Sequence, residues 1–365
     1  MRTLSIVFFG LFVVTAGCTG DASTTPSLPA VSGPESAAIK ALQAAGAVVK
    51  TDAGGSATDV DLHGATLSTE TIELLPELKS LRVLNLADSS FSDADLAILD
   101  HVSLQLANLD VRGCPLSNKA PTSIARFTGL RALRFSGKNG KTSIDDDGVK
   151  SLAACKSLKL LALDELSFVG TDGITALAGL TDLEELYLAG TIVDDDTCKV
   201  IARFPKLKKL RLARNQIGDA GLEVLSTYSG IEELDLSENS LITDAGMASI
   251  AKLTALKKLN LWRVQVSDDG ALKLAPLTRL EWLNLDNTKL TDGGLPALKD
   301  MNSLKFLHLG STQITAAGAP ALFHLKSLKD LKITRTALGA SNAAVSELKK
   351  HLPDTAIQTE YVESE

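Results

Sequence analysis

Few residues of this chain are of a type and spacing that could do chemistry. Two acidic triplets, residues 145–147 and 194–196, could hold a cation, but both fall where a helix should begin and negative charge is favoured without a metal. The five histidines show no ligand spacing with one another or with cysteine. H-E-x-x-H, G-x-S-x-G and phosphate-loop motifs are missing from the sequence. The sequence therefore predicts a non-enzymatic protein without metal or cofactor.

The four cysteines are expected to have different roles. Cys155 and Cys198 stand at positions that other parts of the chain fill with larger apolar residues, so we expect both to be small core residues. Cys114 lies at a turn and has no evident mate. Because Cys18 belongs to a targeting segment, the other three do not all pair, and we predict no structural disulfide.

Residues 1–17 have the features of a signal peptide. Arg2 gives a short basic start, residues 4–14 are apolar but short for a bilayer span, and Thr15, Ala16 and Gly17 precede Cys18. Small residues before a cysteine resemble the lipobox of bacterial lipoproteins. That resemblance implies cleavage before Cys18, acylation of Cys18 by palmitate or a similar chain, and a lipid-anchored position in the bacterial cell envelope, periplasmic or surface-facing. An ordinary secretory signal cleaved nearby is the alternative.

Composition divides the rest of the chain into a tether, two caps and a central array. Residues 18–34 are rich in Thr, Ser, Pro, Gly and Ala, which predicts a flexible tether. Residues 35–56 should form an N-terminal cap, with a helix over 35–49 whose apolar side carries Ile39, Leu42 and Val48. Residues 341–365 should form a C-terminal cap, with a helix over 343–352 and a short strand within 356–361.

Between the caps, residues 57–340 carry one repeated pattern. Its skeleton, L-x-x-L-x-L-x-x-T/N-x-L/I-T/S-D-x-G-L, is clearest at residues 280–295. The first position of the pattern falls at 81, 106, 130, 158, 183, 207, 231, 256, 280, 304 and 328, and it holds leucine in every copy except at Ile231, so most steps are 24 or 25 residues. A fixed period of this length predicts a solenoid, here of about twelve repeats. Aromatic residues make up only 4% of the chain, so the core should be aliphatic.

This pattern resembles the leucine-rich repeats of the ribonuclease-inhibitor-like and cysteine-containing type, which occur in bacterial envelope proteins. The resemblance implies an α/β horseshoe with a parallel sheet on the concave face and helices on the convex face. It also implies a recognition scaffold, usually for another protein. The net charge of -7 offers no footprint for nucleic acid. We expect a monomer that reaches the membrane only through its lipid anchor.

Each slot of the repeat has an expected structural role. Asp219, Asp244, Asp268 and Asp292 should cap the helices that they open. A ladder of side-chain hydrogen bonds to the backbone should stabilise the turn after each strand. This turn slot holds Thr191, Asn215, Asn239, Thr288, Thr312 and Thr336. Four extra residues near 137–141 should bulge from the concave rim.

The period also assigns residues to columns on the concave face. One column contains Glu185, Lys209, Glu233 and Lys258. Neighbouring strands lie about 4.8 Å apart, so these charges should form a solvated ladder of alternating sign.

The aromatic residues of this face predict a binding patch. Trp262 and Trp282 lie in adjacent repeats and Phe306 is beside Trp282. Their polar neighbours are Asn260, Asn284, Asp286, His308 and Arg263. Exposed aromatics ringed by polar groups are typical of binding hot spots.

Two other interpretations of these aromatics remain open, together with a second patch. Flat rings beside Asn and Asp also suit a glycan, and the rings could instead shield the sheet or pack on the cap. The second, weaker patch comprises Tyr187, Arg211 and Arg214 near Asp235. The favoured function is recognition of a partner protein on the concave face.

Overall fold

A computed structural model describes residues 33–99 and 104–361. The signal peptide, most of the tether and Cys18 lie outside these residues. The described chain forms a sheet in which every strand lies beside its neighbours in sequence. The strands are β1 (Val48–Thr51), β2 (Ala57–Asp61), β3 (Val83–Asn85), β4 (Asn108–Asp110), β5 (Ala132–Ser136), β6 (Leu160–Asp164), β7 (Glu185–Tyr187), β8 (Lys209–Arg211), β9 (Glu233–Asp235), β10 (Lys258–Asn260), β11 (Trp282–Asn284), β12 (Phe306–His308), β13 (Asp330–Lys332) and β14 (Ala356–Gln358).

Helical segments connect these strands. The α-helices are α1 (Pro34–Ala44), α2 (Thr69–Ile72), α3 (Asp93–Ile98), α4 (Lys119–Ile124), α5 (Asp146–Ser151), α6 (Thr171–Ala176), α7 (Asp195–Ile201), α8 (Asp219–Leu225), α9 (Met247–Ile250), α10 (Asp268–Lys273), α11 (Ala337–Ala340) and α12 (Asn342–His351). Short 3-10 helices span Leu75–Glu77, Leu152–Ala154 and Leu177–Gly179, and longer ones span Asp292–Leu298 and Ala316–Leu322. The two longer segments contain Pro296 and Pro320, which lack the N–H that an α-helix interior needs.

The strand register confirms the columns that the repeat period predicts. β1 and β2 are antiparallel, whereas all later neighbours are parallel. Leu234, Leu259 and Leu283 oppose one another and are buried, as is the equivalent leucine of each neighbouring repeat. Side chains alternate along a strand, so the residues on either side of each leucine face the concave surface. The fold is therefore a horseshoe solenoid with one continuous core, which is mainly aliphatic but also buries Phe91, Phe135 and Phe204.

The turn slot forms the predicted ladder. Asn239 is fully buried, and its amide donates to the carbonyls of Leu212 (2.8 Å) and Leu236 (2.9 Å), joining two repeats. Where threonine fills the slot, its hydroxyl donates within its own turn, as from Thr312 to the Leu309 carbonyl at 2.6 Å. These bonds satisfy backbone carbonyls where the chain leaves the sheet.

The predicted capping role of the pattern aspartates is wrong. Asp219 accepts hydrogen bonds from the N–H groups of Thr243 (2.9 Å) and Gly246 (3.0 Å), which belong to the next repeat. Asp244, Asp268 and Asp292 likewise accept from Ser267, Thr291 and Thr315. Each aspartate lies at or near the start of its helical segment and turns toward its neighbour.

This contact between repeats requires the glycine of the D-x-G pattern. A methyl group on Gly246 would lie 2.4 Å from Asp219 Oδ1, which is too close for any side chain. The repeated glycine therefore leaves room for the aspartate of the previous repeat.

The acidic triplets have structural partners of the same kind. Asp145 and Asp194 do cap α5 and α7, and Asp146 and Asp195 accept from Gly170 and Gly218 of the following repeats. Among the described residues, no group of three His, Cys, Asp or Glu side chains is placed to hold a metal ion.

The N-terminal cap differs from the prediction. The helix ends at Ala44, not near residue 49, because Gly46 adopts φ 92° and reverses the chain. Val48 then enters β1 and is 63% exposed, whereas Leu42 is buried as expected. β-branched residues such as Val48 and Val49 favour this strand over a last helical turn. At the other end, α12 and β14 confirm the predicted helix and short strand.

The extra residues near 137–141 form the expected loop at the end of β5. Residues 139–141 are exposed, and the Asn139 amide donates to the Gly113 carbonyl at 2.6 Å, which holds the loop against the previous repeat.

The described cysteines are buried thiols. Cys155 and Cys198 are fully buried in the core, as predicted, and burial raises their pKa values to about 11 and about 12. Cys114 donates to the Leu86 carbonyl at 3.1 Å. Across residues 33–99 and 104–361, no helix has the length and apolar character needed to cross a membrane.

Candidate functional site

Two aromatic rings stack on the concave face. Trp282 of β11 and Phe306 of β12 oppose each other in the parallel register. Their ring centroids are 4.8 Å apart and their planes differ by 5°. The strand spacing of about 4.8 Å equals a stacking distance, so the register itself produces this contact. Both side chains are half-buried, and their predicted adjacency is confirmed.

Lysines flank this stack. Lys258 Nζ lies 4.9 Å from the centroid of Trp282, and Lys332 Nζ lies 5.6 Å from that of Phe306. Neither ammonium forms an ion pair with a carboxylate of the described chain. The expectation that Lys258 extends the charge ladder is wrong, because it packs over Trp282. These four residues are called the aromatic stack below.

Trp262 is separate from the aromatic stack. It lies two residues beyond the end of β10, in a third concave column, and Arg263 sits 5.4 Å from its ring centroid. Arg263 also donates to Glu238 at 3.1 Å. Within the described residues, no ring contact joins Trp262 to Trp282. The predicted patch is therefore a stacked pair with a third aromatic nearby.

The predicted asparagines use their oxygens to close turns after the strands. Asn260 Oδ1 accepts from the Trp262 N–H at 3.2 Å, and Asn284 Oδ1 accepts from the Asp286 N–H at 2.9 Å. These bonds fix the residues that follow β10 and β11. The asparagines thus position Trp262 and Asp286 at the concave face.

Asp286 and His308 lie beside the aromatic stack, and no hydrogen bond joins their side chains in the described part of the chain. The Oδ1 atom of Asp286 is buried and has no hydrogen-bond partner. His308 lies edge-on to Phe306, with ring centroids 6.4 Å apart and an interplanar angle of 77°. Burial lowers the pKa of His308 and outweighs the opposing effect of Asp286; Lys332 adds to the decrease. The imidazole is therefore neutral at neutral pH.

The second predicted patch is committed to internal ion pairs. Arg211 Nη1 lies 3.0 Å from Asp164 and its Nε lies 3.3 Å from Asp235. The Tyr187 hydroxyl donates to Glu185 at 2.6 Å. Burial and this carboxylate raise the pKa of Tyr187 well above its usual range.

Arg214 is also held by ion pairs within the protein. It pairs with Glu165 and also lies 4.0 Å from Glu238. The guanidinium groups expected to be available for a partner are thus held by the protein's own carboxylates.

A backbone feature that was not predicted from the sequence places these charges. Arg214, Glu238 and Arg263 share the slot before the turn residue and adopt φ of 54°, 60° and 57°. This left-handed conformation recurs along the array, and Gly113 and Gly190 fill the same slot elsewhere. In the sequence, the sign of this left-handed conformation is that glycine and charged residues alternate at this slot. Its consequence is a second ion-pair ladder along the rim.

A basin of about 490 Å³ connects the two predicted patches. It extends from Arg112 and Arg134 past Tyr187 and Arg211 to Trp282. Small residues such as Ala162 line the bottom of this basin and leave it deep. The concave face therefore offers one continuous groove that ends at the aromatic stack.

Comparison with known proteins agrees with this architecture. Models of the leucine-rich repeat family match residues 205–263 and 300–323. The tubulin-folding cofactor E of Arabidopsis thaliana is 27% identical over 219 residues, which are 57% of this chain and only 36% of that protein. The match thus spans about a third of that relative's length.

A solved structure shows the same fold. An internalin (inlF) from Listeria monocytogenes str. 4b F2365 has a TM-score of 0.61 at 20% identity and covers 93% of this chain and 100% of that chain. An internalin C2 (inlC2) from the same strain has a TM-score of 0.44 at 21% identity, covering 58% of this chain and 84% of that chain.

The repeats, the family models and the sheet register identify a leucine-rich repeat protein. Folds of this class typically serve as non-enzymatic scaffolds that bind other proteins.

Proposed function

We propose that this chain is a non-enzymatic, extracytoplasmic scaffold that binds a partner protein on its concave face. The observation that carries the proposal is the half-buried aromatic stack beside a basin of about 490 Å³. Aromatic side chains in a groove with a polar surround are the usual centres of protein–protein binding energy. Trp262, Asn260, Asn284 and Arg263 would form the surround.

The stacking geometry favours a protein over a glycan. A sugar ring packs against the flat face of an aromatic ring. Here Trp282 and Phe306 cover each other on one side, while Lys258 and Lys332 lie over the opposite sides. A sugar would have to displace a lysine, whereas the ring edges remain available to a partner's side chains. Saturable binding of soluble oligosaccharides would instead support the glycan alternative.

Photo-crosslinking in the native host tests the contact surface. Asp330 is exposed and opposes Phe306 in the register, so a photoreactive amino acid at position 330 should crosslink to a protein partner. Leu272, 43% exposed on the convex helix α10, is the matched control position. We expect an adduct from position 330 that is lost when Trp282 and Phe306 are both changed to alanine. Equal adducts from positions 330 and 272, or an adduct that survives the double change, would refute the concave site.

The proposed location rests on Cys18 and the small residues before it. More than one acyl chain on this cysteine would hold the protein stably at a membrane. We expect labelled palmitate to be incorporated into the wild-type protein and the Cys18→Ala variant to lose both the label and the membrane fraction. Unchanged fractionation of the variant would rule out the lipid anchor and leave the binding proposal in place.

A further inference from the structure

Arg134 of β5 differs from the basic residues around it in the basin. Its side chain is half-buried and lines the end of the basin opposite Trp282. Arg112, Lys209 and Arg211 line the same basin and all pair with carboxylates. Among the described residues, none forms a hydrogen bond or an ion pair with the Arg134 guanidinium. A positive charge at the β5 end of the basin therefore has no counterion in the described chain.

The strand register explains why Arg134 has no counterion. Its neighbours in the same column are Asp110 on β4 and Ala162 on β6. Ala162 carries no charge. The Asp110 carboxylate accepts from Arg112 through Nε at 2.9 Å and through Nη2 at 2.7 Å. The carboxylate beside Arg134 in its column is thus already engaged by another cation.

The surroundings of Arg134 carry an excess of positive charge. The basin lining has five basic and three acidic side chains, whereas the whole chain has a net charge of -7. The three acidic side chains pair with Arg211 or Lys209. A half-buried cation loses part of its hydration, so without an internal partner it favours an anionic ligand. The basin has a volume of about 490 Å³, so such a ligand has room to reach the guanidinium.

We propose that Arg134 binds the carboxylate of an Asp or Glu side chain of the partner protein, at the end of the basin remote from the aromatic stack. A guanidinium presents parallel N–H donors that match the two oxygens of a carboxylate. β5 and β11 are six strands apart. At about 4.8 Å per strand, the acidic residue and the residue that contacts the stack lie about 29 Å apart along the sheet, which an extended segment covers in about nine residues. This inference rests on the proposed function and specifies the charge of the partner.

A short acidic peptide tests this preference without knowledge of the partner. The probe is acetyl-tetraglutamate amide, added to the full chain. The readout is the nuclear magnetic resonance shift of the backbone N–H groups in β5 and β6. We expect saturable shifts with millimolar affinity. The tetraglutamine peptide has the same length without the charge and should cause no saturable shift, and inorganic phosphate should bind more weakly than the acidic peptide.

Matched variants place the peptide at Arg134. Arg134→Gln removes the charge and should weaken binding about tenfold. Arg134→Lys keeps the charge but loses the parallel donors, so its affinity should fall between those of wild type and Arg134→Gln. Arg131→Gln is the matched control, because Arg131 is exposed just before β5, lies outside the basin lining and has no ion pair within the described residues. This control should stay within about twofold of wild type, and circular dichroism establishes that each variant is folded.

Asp110 provides a variant with the opposite effect. Asp110→Asn removes the carboxylate that holds Arg112 and so leaves a second guanidinium available at the same end of the basin. The change should tighten binding of the acidic peptide by about twofold to fivefold. An affinity that does not rise in this variant would contradict the proposed contact.

The results separate this contact from the proposed function. No binding to the wild-type chain, equal binding of tetraglutamine or of inorganic phosphate, or equal effects of Arg134→Gln and Arg131→Gln would overturn the acidic contact. If crosslinking from position 330 still depends on Trp282 and Phe306, such a result leaves the scaffold function intact. Loss of that crosslinking result would instead remove the function itself.

Discussion

Strands β7–β9 and strands β11–β13 present the same slots to the concave face and fill them differently. In β7–β9, Lys209 lies 3.3 Å from Glu185 and 3.6 Å from Glu233, and Arg211 pairs with carboxylates on both sides. At β11–β13, Lys258 from the neighbouring strand β10 and Lys332 lie over aromatic rings, and Asp286 keeps a buried oxygen without a partner.

The two regions differ in whether their charged side chains already have partners within the protein. A partner that contacts β7–β9 must compete with ion pairs that the protein makes within itself. A partner that contacts β11–β13 can cover the exposed ring edges of Trp282 and Phe306 without displacing an ion pair. Equal exposure therefore does not make two surfaces equally useful for binding. The ion-pair region should act mainly on stability, and the aromatic region mainly on affinity.

The largest expected effect on stability in this comparison comes from Arg211. Arg211→Ala leaves Asp164 and Asp235 without their shared cation, and burial already raises the pKa of Asp164. The Arg211 side chain is 42% exposed, so we expect a loss of about 2 kcal/mol, below the cost of breaking a fully buried pair. Urea unfolding followed by circular dichroism measures it. Arg211→Lys should lose less, and an undiminished midpoint in Arg211→Ala would show that the pairs do not stabilise the array.

A smaller effect is expected from Phe306. Phe306→Ala removes one stacked ring and should lower the free energy of unfolding by about 1 kcal/mol. It should also uncover one face of Trp282, so acrylamide should quench that tryptophan more strongly in a Trp262→Phe background. Unchanged quenching would mean that the rings are not stacked in solution.

The pH-dependent contribution of His308 to the free energy of unfolding should be smaller still. Its folded pKa lies below the ordinary value of 6.5, so the unfolded state binds more protons between the two values. The corresponding stability is complete above pH 6.5 and is lost as the pH falls through the folded pKa. The difference in unfolding free energy between wild type and His308→Gln should therefore shift against wild type on acidification. A difference that is constant from about pH 7 to about pH 5 would contradict the lowered pKa.

The smallest effect is expected from Lys209. Its side chain is 38% exposed, and solvent screens its contacts with Glu185 and Glu233. Lys209→Ala should change the unfolding free energy by no more than about 0.5 kcal/mol. A loss equal to that of Arg211→Ala would show that both columns of β7–β9 contribute alike.

The fold and the columns could be predicted because a fixed period places equivalent slots next to one another. Trp282 and Phe306 were predicted as neighbours for that reason. The partners of flexible side chains could not be predicted. Lys258 has Glu233 on one side and Trp282 on the other, and only the three-dimensional arrangement shows that it packs over the ring.

The other two errors have different causes. Asp219 resembles a helix cap within its own repeat, yet its acceptor atoms serve Thr243 and Gly246. Val48 continues a helical spacing, but Gly46 reverses the chain before it. The neighbouring repeat determined the partners of Asp219, whereas the left-handed turn at Gly46 determined the position of Val48.

The proposed function requires that the aromatic stack, and not the ion-pair region, binds the partner. The most direct measurement compares crosslinking yield from position 330 in two double variants, Trp282→Ala/Phe306→Ala and Lys209→Ala/Arg214→Ala. We expect the first to lose about tenfold or more, as for hot-spot residues, and the second to stay within about twofold of wild type. The reverse order, with the adduct lost in the ion-pair variant and kept in the aromatic one, would show that the partner binds the ion-pair region instead.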